Sequence, residues 1–221
     1  MTREPASPEE TRGLIELSLR ELTDQLASSA PVPGGGTTAA ISGAMAAGLV
    51  AMVAALTVGR PAYAEVEAEA KEIGLGAETL RQRLLTLAEE DAAAFDAVMQ
   101  ARRMPRETDE ERAARSTAMG AAFVTAAEVP LETARAAAHV LGLAARIAPI
   151  GNRNAASDAG VAAQLASAAI RGACLNVRIN LPYLPPDATL AADGEGEVAA
   201  LEAEATRVEA AAVASVAERL A

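Results

Sequence analysis

Apolar and polar positions recur along this chain at the three-to-four spacing of helices, and no stretch alternates with the period of two that a half-buried strand requires. Pro8-Glu9-Glu10 reads as the acidic first turn of a helix running to about Ala27, with Leu14, Leu17, Leu22 and Leu26 along one face. The pattern then changes. From Thr37 to Thr57 there is no charge, only Ala, Gly, Val, Leu, Ile, Met and hydroxyls. A helix apolar on every side must be wrapped by other helices or by lipid. Thr37 or Thr38 is expected to cap it, and Arg60-Pro61 to end it.

A long acidic helix follows to about Arg102, with a break expected near Gly74-Leu75-Gly76. Thr108-Asp109-Glu110-Glu111 reads as a capped start, and that helix continues to about Ile147, kinked or interrupted by Pro130. A polar cluster from Gly151 to Gly160 opens a helix of small residues, capped by Ser157 or Asn154 and ending near Asn180 before Pro182. A loop over Pro185 to Gly196 and a final Ala/Glu helix to Ala221 complete the chain. The pattern predicts an all-α fold, one domain over residues 1–221, built as a bundle of about six helices around the central Ala/Gly-rich helix.

Two features stand out. At 100° per residue, Leu84, Leu87, Phe95 and Val98 all fall within about 40° of Asp91, so this acid sits in the middle of an apolar stripe. A carboxylate there loses hydration and needs a structural partner, a ligand or a proton. Glu89 and Asp96 point away from that face. The second feature is the elbow Pro31-Val32-Pro33-Gly34-Gly35-Gly36 at the head of the central helix. Its glycines leave amide N–H groups open at the positive end of the helix, where an anionic or acceptor-rich ligand can dock. It is not a phosphate loop, since no G-K-[ST] follows and no strand pattern precedes it. Ligand loop and simple connector both remain open on local grounds.

Composition narrows the picture. Hydrophobic residues make up 51% of the 221 but aromatics only 2%, with no Trp. The core must therefore be filled by Leu, Val, Ile, Met and much Ala, which buries little area per residue and favours added burial in a homodimer. A net charge of −11 argues against nucleic acid and against an anionic membrane surface. The central helix is only weakly hydrophobic and lacks basic flanks or interfacial Trp, so a membrane span is disfavoured. No signal peptide is visible in MTREPASPEETR, and the lone Cys174 fits a reducing, cytoplasmic setting. His139, the only histidine, has no ligand-spaced partner and reads as a partly buried structural residue; no zinc or other transition-metal motif occurs.

The Gly151–Gly160 cluster carries Arg153, Asn154 and Asp158, the last suited to a helix dipole. Asn176 and Asn180 share a face four residues apart. Asp158 and Asn176 lie about 27 Å apart along one helix. They can serve one site only with a long ligand or an antiparallel second subunit.

Four segments together resemble, in order and spacing, the cyclodeaminase/cyclohydrolase family of folate enzymes. They are SSAPVPGGGTTAAISGAMAAGLVAMVAALTVGR, EEDAAAFDAVMQARRMPRETDEERAAR, AAEVPLETA and GNRNAASDAGVAAQLASAAIRGACLNVRINL. The resemblance spans roughly Leu22 to Pro182 and implies an all-helical homodimer that binds a tetrahydrofolate derivative near its subunit interface. The family's Pro-Gly-Gly-Gly elbow falls on Pro33, Gly34, Gly35 and Gly36, its helix acid on Asp91, its S-D-A-G-V-A turn on Ser157 to Ala162, and its Asn-Val-x-Ile-Asn ending on Asn176 to Asn180. Thr37 stands where Ser or Gly is usual, and Arg60 where a Lys is usual; Arg103 and Arg106 flank Pro105 where a Lys is often seen. An arginine keeps the charge but cannot titrate.

The resemblance implies hydrolysis of 5,10-methenyltetrahydrofolate to 10-formyltetrahydrofolate, without metal or redox cofactor. Asp91 is the expected catalytic acid, with Asp158 the other candidate. Asn154 and Asn180 would orient water or the pterin edge; Arg60, Arg106, Arg153 and the glycine amides would meet the anionic glutamate tail. The alternatives are formiminotetrahydrofolate cyclodeaminase, which releases ammonia, and a non-catalytic folate-binding helical dimer.

Overall fold

Two helix starts follow directly from capping boxes. Ser18 Oγ accepts from Glu21 N at 3.2 Å while the Glu21 carboxylate accepts from Ser18 N at 2.7 Å. Thr108 and Glu111 repeat the exchange. The computed structural model describes residues 12–221. Within them lie α1 (Leu19–Leu26), α2 (Gly35–Thr57), α3 (Glu67–Arg103), α4 (Asp109–Ile150), α5 (Ala156–Asn180) and α6 (Thr189–Leu220), joined by short 3-10 turns and with no strand. This is the expected all-α bundle.

Several boundaries differ from the sequence reading, each for a local reason. The helix start expected at Pro8 lies outside the described residues. Downstream of it a 3-10 turn, Leu14–Glu16, and α1 are separated by the Ser18 cap, so no single helix runs through this region. α2 is capped by Gly34 rather than by Thr37 or Thr38; both threonines lie inside the helix, and Thr38 Oγ1 donates back to Gly34 O at 2.8 Å. It ends at Thr57, with Gly59 in the left-handed region at φ 75°, ahead of the Arg60-Pro61 step. α3 is unbroken: Gly74 faces Ala54, and Gly76 faces Leu143. α4 likewise passes through Pro130 without interruption. α5 is preceded by a 3-10 turn that Asn152 caps, so neither Ser157 nor Asn154 caps it. α6 begins within the expected loop and carries Gly194 into a buried contact with Leu181. His139 is exposed on α4 rather than partly buried.

Side-chain pairings give the directions. Gly36 meets Asp91, Gly43 meets Leu84 and Ala54 meets Gly74, so α2 and α3 are antiparallel; Gly35 meets Asn176 and Ala39 meets Gly172, so α2 and α5 are too. Arg146 reaches Glu69 and Glu72, making α3 and α4 antiparallel, and Arg178 bridging Glu195 and Glu202 does the same for α5 and α6. Alanine dominates the buried cluster between these helices, and its small side chains let the backbones approach closely. α2 is long and apolar enough to cross a membrane, yet it is the element against which α3, α4 and α5 all pack. It is not wrapped on every side. A stripe of Met45, Met52 and Leu56 stays exposed, at 58%, 39% and 38%.

The bundle thus has two ends. One gathers the start of α2, the C-terminal half of α3 and the end of α5. At the other, the end of α2 meets the start of α5 through Thr57, whose hydroxyl donates to Val53 O at 2.7 Å and accepts from Asn152 N at 2.8 Å. Both side chains are buried. Thr57→Val should cost about 1–3 kcal/mol, because it leaves the Asn152 amide without an acceptor. Chemical denaturation should show a lower midpoint with an unchanged slope; an unchanged midpoint would mean that solvent replaces the hydroxyl.

Candidate active site

The first turn of a helix carries backbone N–H groups with no partner inside the helix. At the head of α2 the partner comes from α3. Asp91 Oδ2 accepts from Thr37 Oγ1 at 2.8 Å, and the carboxylate also accepts from the Thr37 N–H. Gly36 makes this approach feasible, since a side chain there would overlap Asp91 Oδ1. The apolar stripe is as expected around it, with Leu84 and Leu87 fully buried and Val98 nearly so, while Phe95 faces the adjoining cavity. Burial pushes the Asp91 carboxyl above its ordinary value. The hydroxyl and N–H of Thr37 offset part of that rise, and no cation among the described residues contributes to the shift.

Beside Asp91 opens a cavity of about 360 Å³, within the range of small-molecule sites. Gly34, Gly35 and Gly36 form its head, Asn176 and Asn180 one wall, and Phe95, Phe123, Met99 and Tyr183 its apolar side. The two asparagines are held by their nitrogens. Asn176 Nδ2 donates to Gly172 O at 2.8 Å; Asn180 Nδ2 donates to Ala126 O at 2.8 Å and Asn176 O at 2.9 Å. Their Oδ1 atoms receive no donor among the described residues, so the amides offer acceptors to a ligand. With the Asp91 carboxylate, the side chains at this end suit a cationic or donor-rich group.

The mouth has the opposite character. Arg102 lies 6.0 Å from the Phe123 ring centroid, and Phe123 stacks on Tyr183 with centroids 4.7 Å apart. No carboxylate pairs with Arg102, Arg103 or Arg106 among the described residues. Arg103 and Arg106 continue from Arg102 into the exposed α3–α4 turn.

Of the residues singled out from sequence, the fold brings together Gly34, Gly35, Gly36, Asp91, Asn176 and Asn180, with Thr37 behind the acid. Pro33 is buried just before them, in a cis peptide with Val32. Arg106 stands outside the cavity in the α3–α4 turn, its carbonyl accepting from Arg112. Arg60, Arg153, Asn154 and Asp158 lie at the opposite end. Arg60 precedes the 3-10 turn Pro61–Val66, and the Arg153 N–H donates to Tyr63 Oη at 2.9 Å. A 23-residue α2 separates the two ends by roughly 34 Å. Within one chain these four cannot share a ligand's reacting group with Asp91.

Sequence reading passed over Arg102, Phe123 and Tyr183. Their signal was scarcity: the chain has two Phe, two Tyr and no Trp, and all but Tyr63 line this one cavity. Cys174 offers no nucleophile, being buried with its thiol pushed up to about 11. Among the described residues no three His, Cys, Asp or Glu side chains converge.

Comparison with known proteins converges on one group. A family model described as formiminotransferase-cyclodeaminase matches residues 18–200. The chain is 47% identical over 188 residues to a methenyltetrahydrofolate cyclohydrolase from Methylorubrum extorquens, covering 85% of this chain and 90% of that one. It is 32% identical over 183 residues to a formimidoyltransferase-cyclodeaminase from Sus scrofa, of whose length it spans 34%. The crystal structure of a formiminotetrahydrofolate cyclodeaminase from Thermotoga maritima superposes with a TM-score of 0.82 at 31% identity, over 94% of this chain and 100% of that one.

The site's electrostatics can be tested without a substrate. Burial raises the folded-state pKa of Asp91 above its unfolded value. Its contribution to stability is therefore fully present below the unfolded pKa and is lost as pH rises through the folded pKa. Asp91→Asn imitates the protonated form at every pH. The variant should melt at or above the parent at neutral pH, with the gap closing in acid. A variant less stable than the parent at neutral pH would show that the ionised carboxylate is the preferred cap.

Proposed function

The chain belongs to the formiminotransferase-cyclodeaminase family, and from that premise we infer that it hydrolyses 5,10-methenyltetrahydrofolate to 10-formyltetrahydrofolate. The observation that carries this reading is the Asp91 carboxylate, desolvated, unpaired with any cation among the described residues and open to a cavity that Asn176 and Asn180 also line. In the substrate one carbon bridges two nitrogens as a cationic amidinium. That cation supplies the charge partner Asp91 lacks in the free protein.

Water adds to the bridging carbon and gives up a proton to Asp91, leaving a neutral tetrahedral adduct. The adduct then collapses: the carbon–N5 bond breaks with its electron pair left on N5, which takes the proton that Asp91 returns, and the hydroxyl oxygen becomes the formyl carbonyl as its own proton passes to solvent. Asp91 thus acts first as base and then as acid, and ends as it began. The amidinium is already electrophilic, so the step requires no metal or redox cofactor. Asn176 and Asn180 accept hydrogen bonds from the pterin's N–H groups or from the attacking water. The anionic glutamate tail leaves through the mouth past Arg102 towards Arg103 and Arg106, in place of Arg60 and Arg153 at the far end.

Cyclodeaminase action on formiminotetrahydrofolate, with release of ammonia, is the second reading. It passes through the same amidinium and is favoured by the likeness to the Thermotoga maritima structure. The 47% identity to a cyclohydrolase over nearly its whole length weighs towards hydrolysis. Purified protein should accelerate loss of the methenyl chromophore, with the rate unchanged by chelator; turnover confined to the formimino substrate would reverse the assignment. Absence of turnover on both would leave a folate-binding helical dimer. Asp91→Asn should lower turnover by about 10²-fold or more. In the parent, kcat/KM should fall in acid through an inflection above the ordinary carboxylate range. Full activity in the Asn variant would exclude Asp91 as the base.

The protein acts as a cytoplasmic homodimer. Met45, Met52 and Leu56 on α2, with Val161, Leu175 and Ile179 on α5, stay exposed on two helices that pack against one another. A second copy is the natural cover for such a face, and Ile179 also lines the cavity, which supports a site beside the interface. Light scattering should give the dimer mass, and Met45→Glu with Met52→Glu should give the monomer. A parent that is monomeric at micromolar concentration would remove the interface.

A further inference from the structure

Pro130 lies buried in the interior of α4, where proline removes one backbone donor. The acceptor left over is the carbonyl of Ala126, four residues earlier. It is not orphaned. Asn180 Nδ2 donates to it at 2.8 Å from α5, and the same nitrogen donates to Asn176 O at 2.9 Å. Both amide protons of Asn180 are thereby committed. Two carbonyls also decide which way the amide faces, since the reversed orientation would set Oδ1 against two carbonyl oxygens. The bond within α5 alone would leave the side chain free to swing; the bond to α4 pins it.

We propose that Pro130 is a positioning residue for the reaction: by withholding an N–H it frees the Ala126 carbonyl, which locks Asn180 with its Oδ1 turned into the cavity. The assignment of a catalytic consequence rests on the hydrolase reading given above, in which Asn180 Oδ1 accepts from the substrate or the attacking water. An alanine at 130 would supply a competing N–H and draw the Ala126 carbonyl back along the helix axis. Asn180 would then lose the bond that fixes its orientation, and the cavity would meet its ligand with a mixture of acceptor and donor.

A double-mutant cycle separates this from a mere effect on helix shape. Pro130→Ala should lower kcat/KM for the methenyl substrate about 5- to 10-fold, the scale of one uncharged hydrogen bond. In an Asn180→Ala background the same change should have no further effect. The melting temperature of Pro130→Ala should equal or exceed the parent's, because an interior helix hydrogen bond is regained. Equal losses in both backgrounds, or unchanged kcat/KM in the single variant, would overturn the proposal. A second readout needs no turnover: the Asn180 side-chain amide protons should exchange slowly in the parent by NMR, and faster in Pro130→Ala. Unchanged exchange would overturn the lock even in an active enzyme. Loss of turnover in the parent would count against the hydrolase reading and leave the amide measurement to decide the role of Pro130.

Discussion

The meeting of Asp91 with the first turn of α2 is the constraint on which the rest of the site depends. A helix N-terminus offers unpaired N–H groups and partial positive charge; a carboxylate in an apolar stripe needs both. Each solves the other's problem, at the cost of forcing the two backbones close. Gly36 is the residue that permits it. The contact also sets the level of α2 against α3, and so places the glycine elbow beside the same carboxylate. The residue that caps α2 is therefore also the carboxylate that lines the cavity. The offset is incomplete, since one hydroxyl and one N–H do not replace the water that a carboxylate loses on burial.

From that incompleteness follows the polarity of the cavity. Asp91, Asn176 and Asn180 line it, and the asparagine nitrogens are spent on carbonyls of α4 and α5, which leaves their oxygens without a donor among the described residues. An apolar wall that includes Phe95, Val98 and Met99 separates this end from the Arg102–Phe123–Tyr183 group. The two ends are suited to opposite charges. A ligand with a cationic ring system and an anionic tail fits such a gradient in one direction only, which orients it before any chemistry occurs. In a chain of net charge −11, Arg102, Arg103 and Arg106, without carboxylate partners among the described residues, leave their end locally positive.

The alanine-rich interior serves the same end. Small side chains bring α2, α3, α4 and α5 close enough for short polar side chains to reach between helices, as Thr37 does to Asp91 and Asn180 to Ala126. Longer core residues would widen those gaps beyond hydrogen-bond range. The same economy of side-chain volume limits how much apolar area one chain buries, and the exposed stripe of α2 is its visible consequence.

Helix number, the central apolar helix and the isolation of Asp91 within an apolar stripe were determined by the sequence alone, because they depend on periodicity and on capping chemistry confined to a few neighbouring residues. The glycine elbow and the paired asparagines were legible too, as types suited to close approach and hydrogen bonding. Helix ends were less so. Gly74, Gly76 and Pro130 look like breaks locally, yet packing against Ala54 and Leu143, and a hydrogen bond from Asn180, carry the helices through them. Only the tertiary structure decided which candidates meet. Asp158, Arg153, Asn154 and Arg60 have chemistry as suitable as that of Asn176 or Arg102, but antiparallel packing sends them to the far end of the bundle. Residue type and spacing record what a side chain can do. Which partners it finds depends on the direction and level of helices distant in sequence, and here that was set by one carboxylate reaching one helix end.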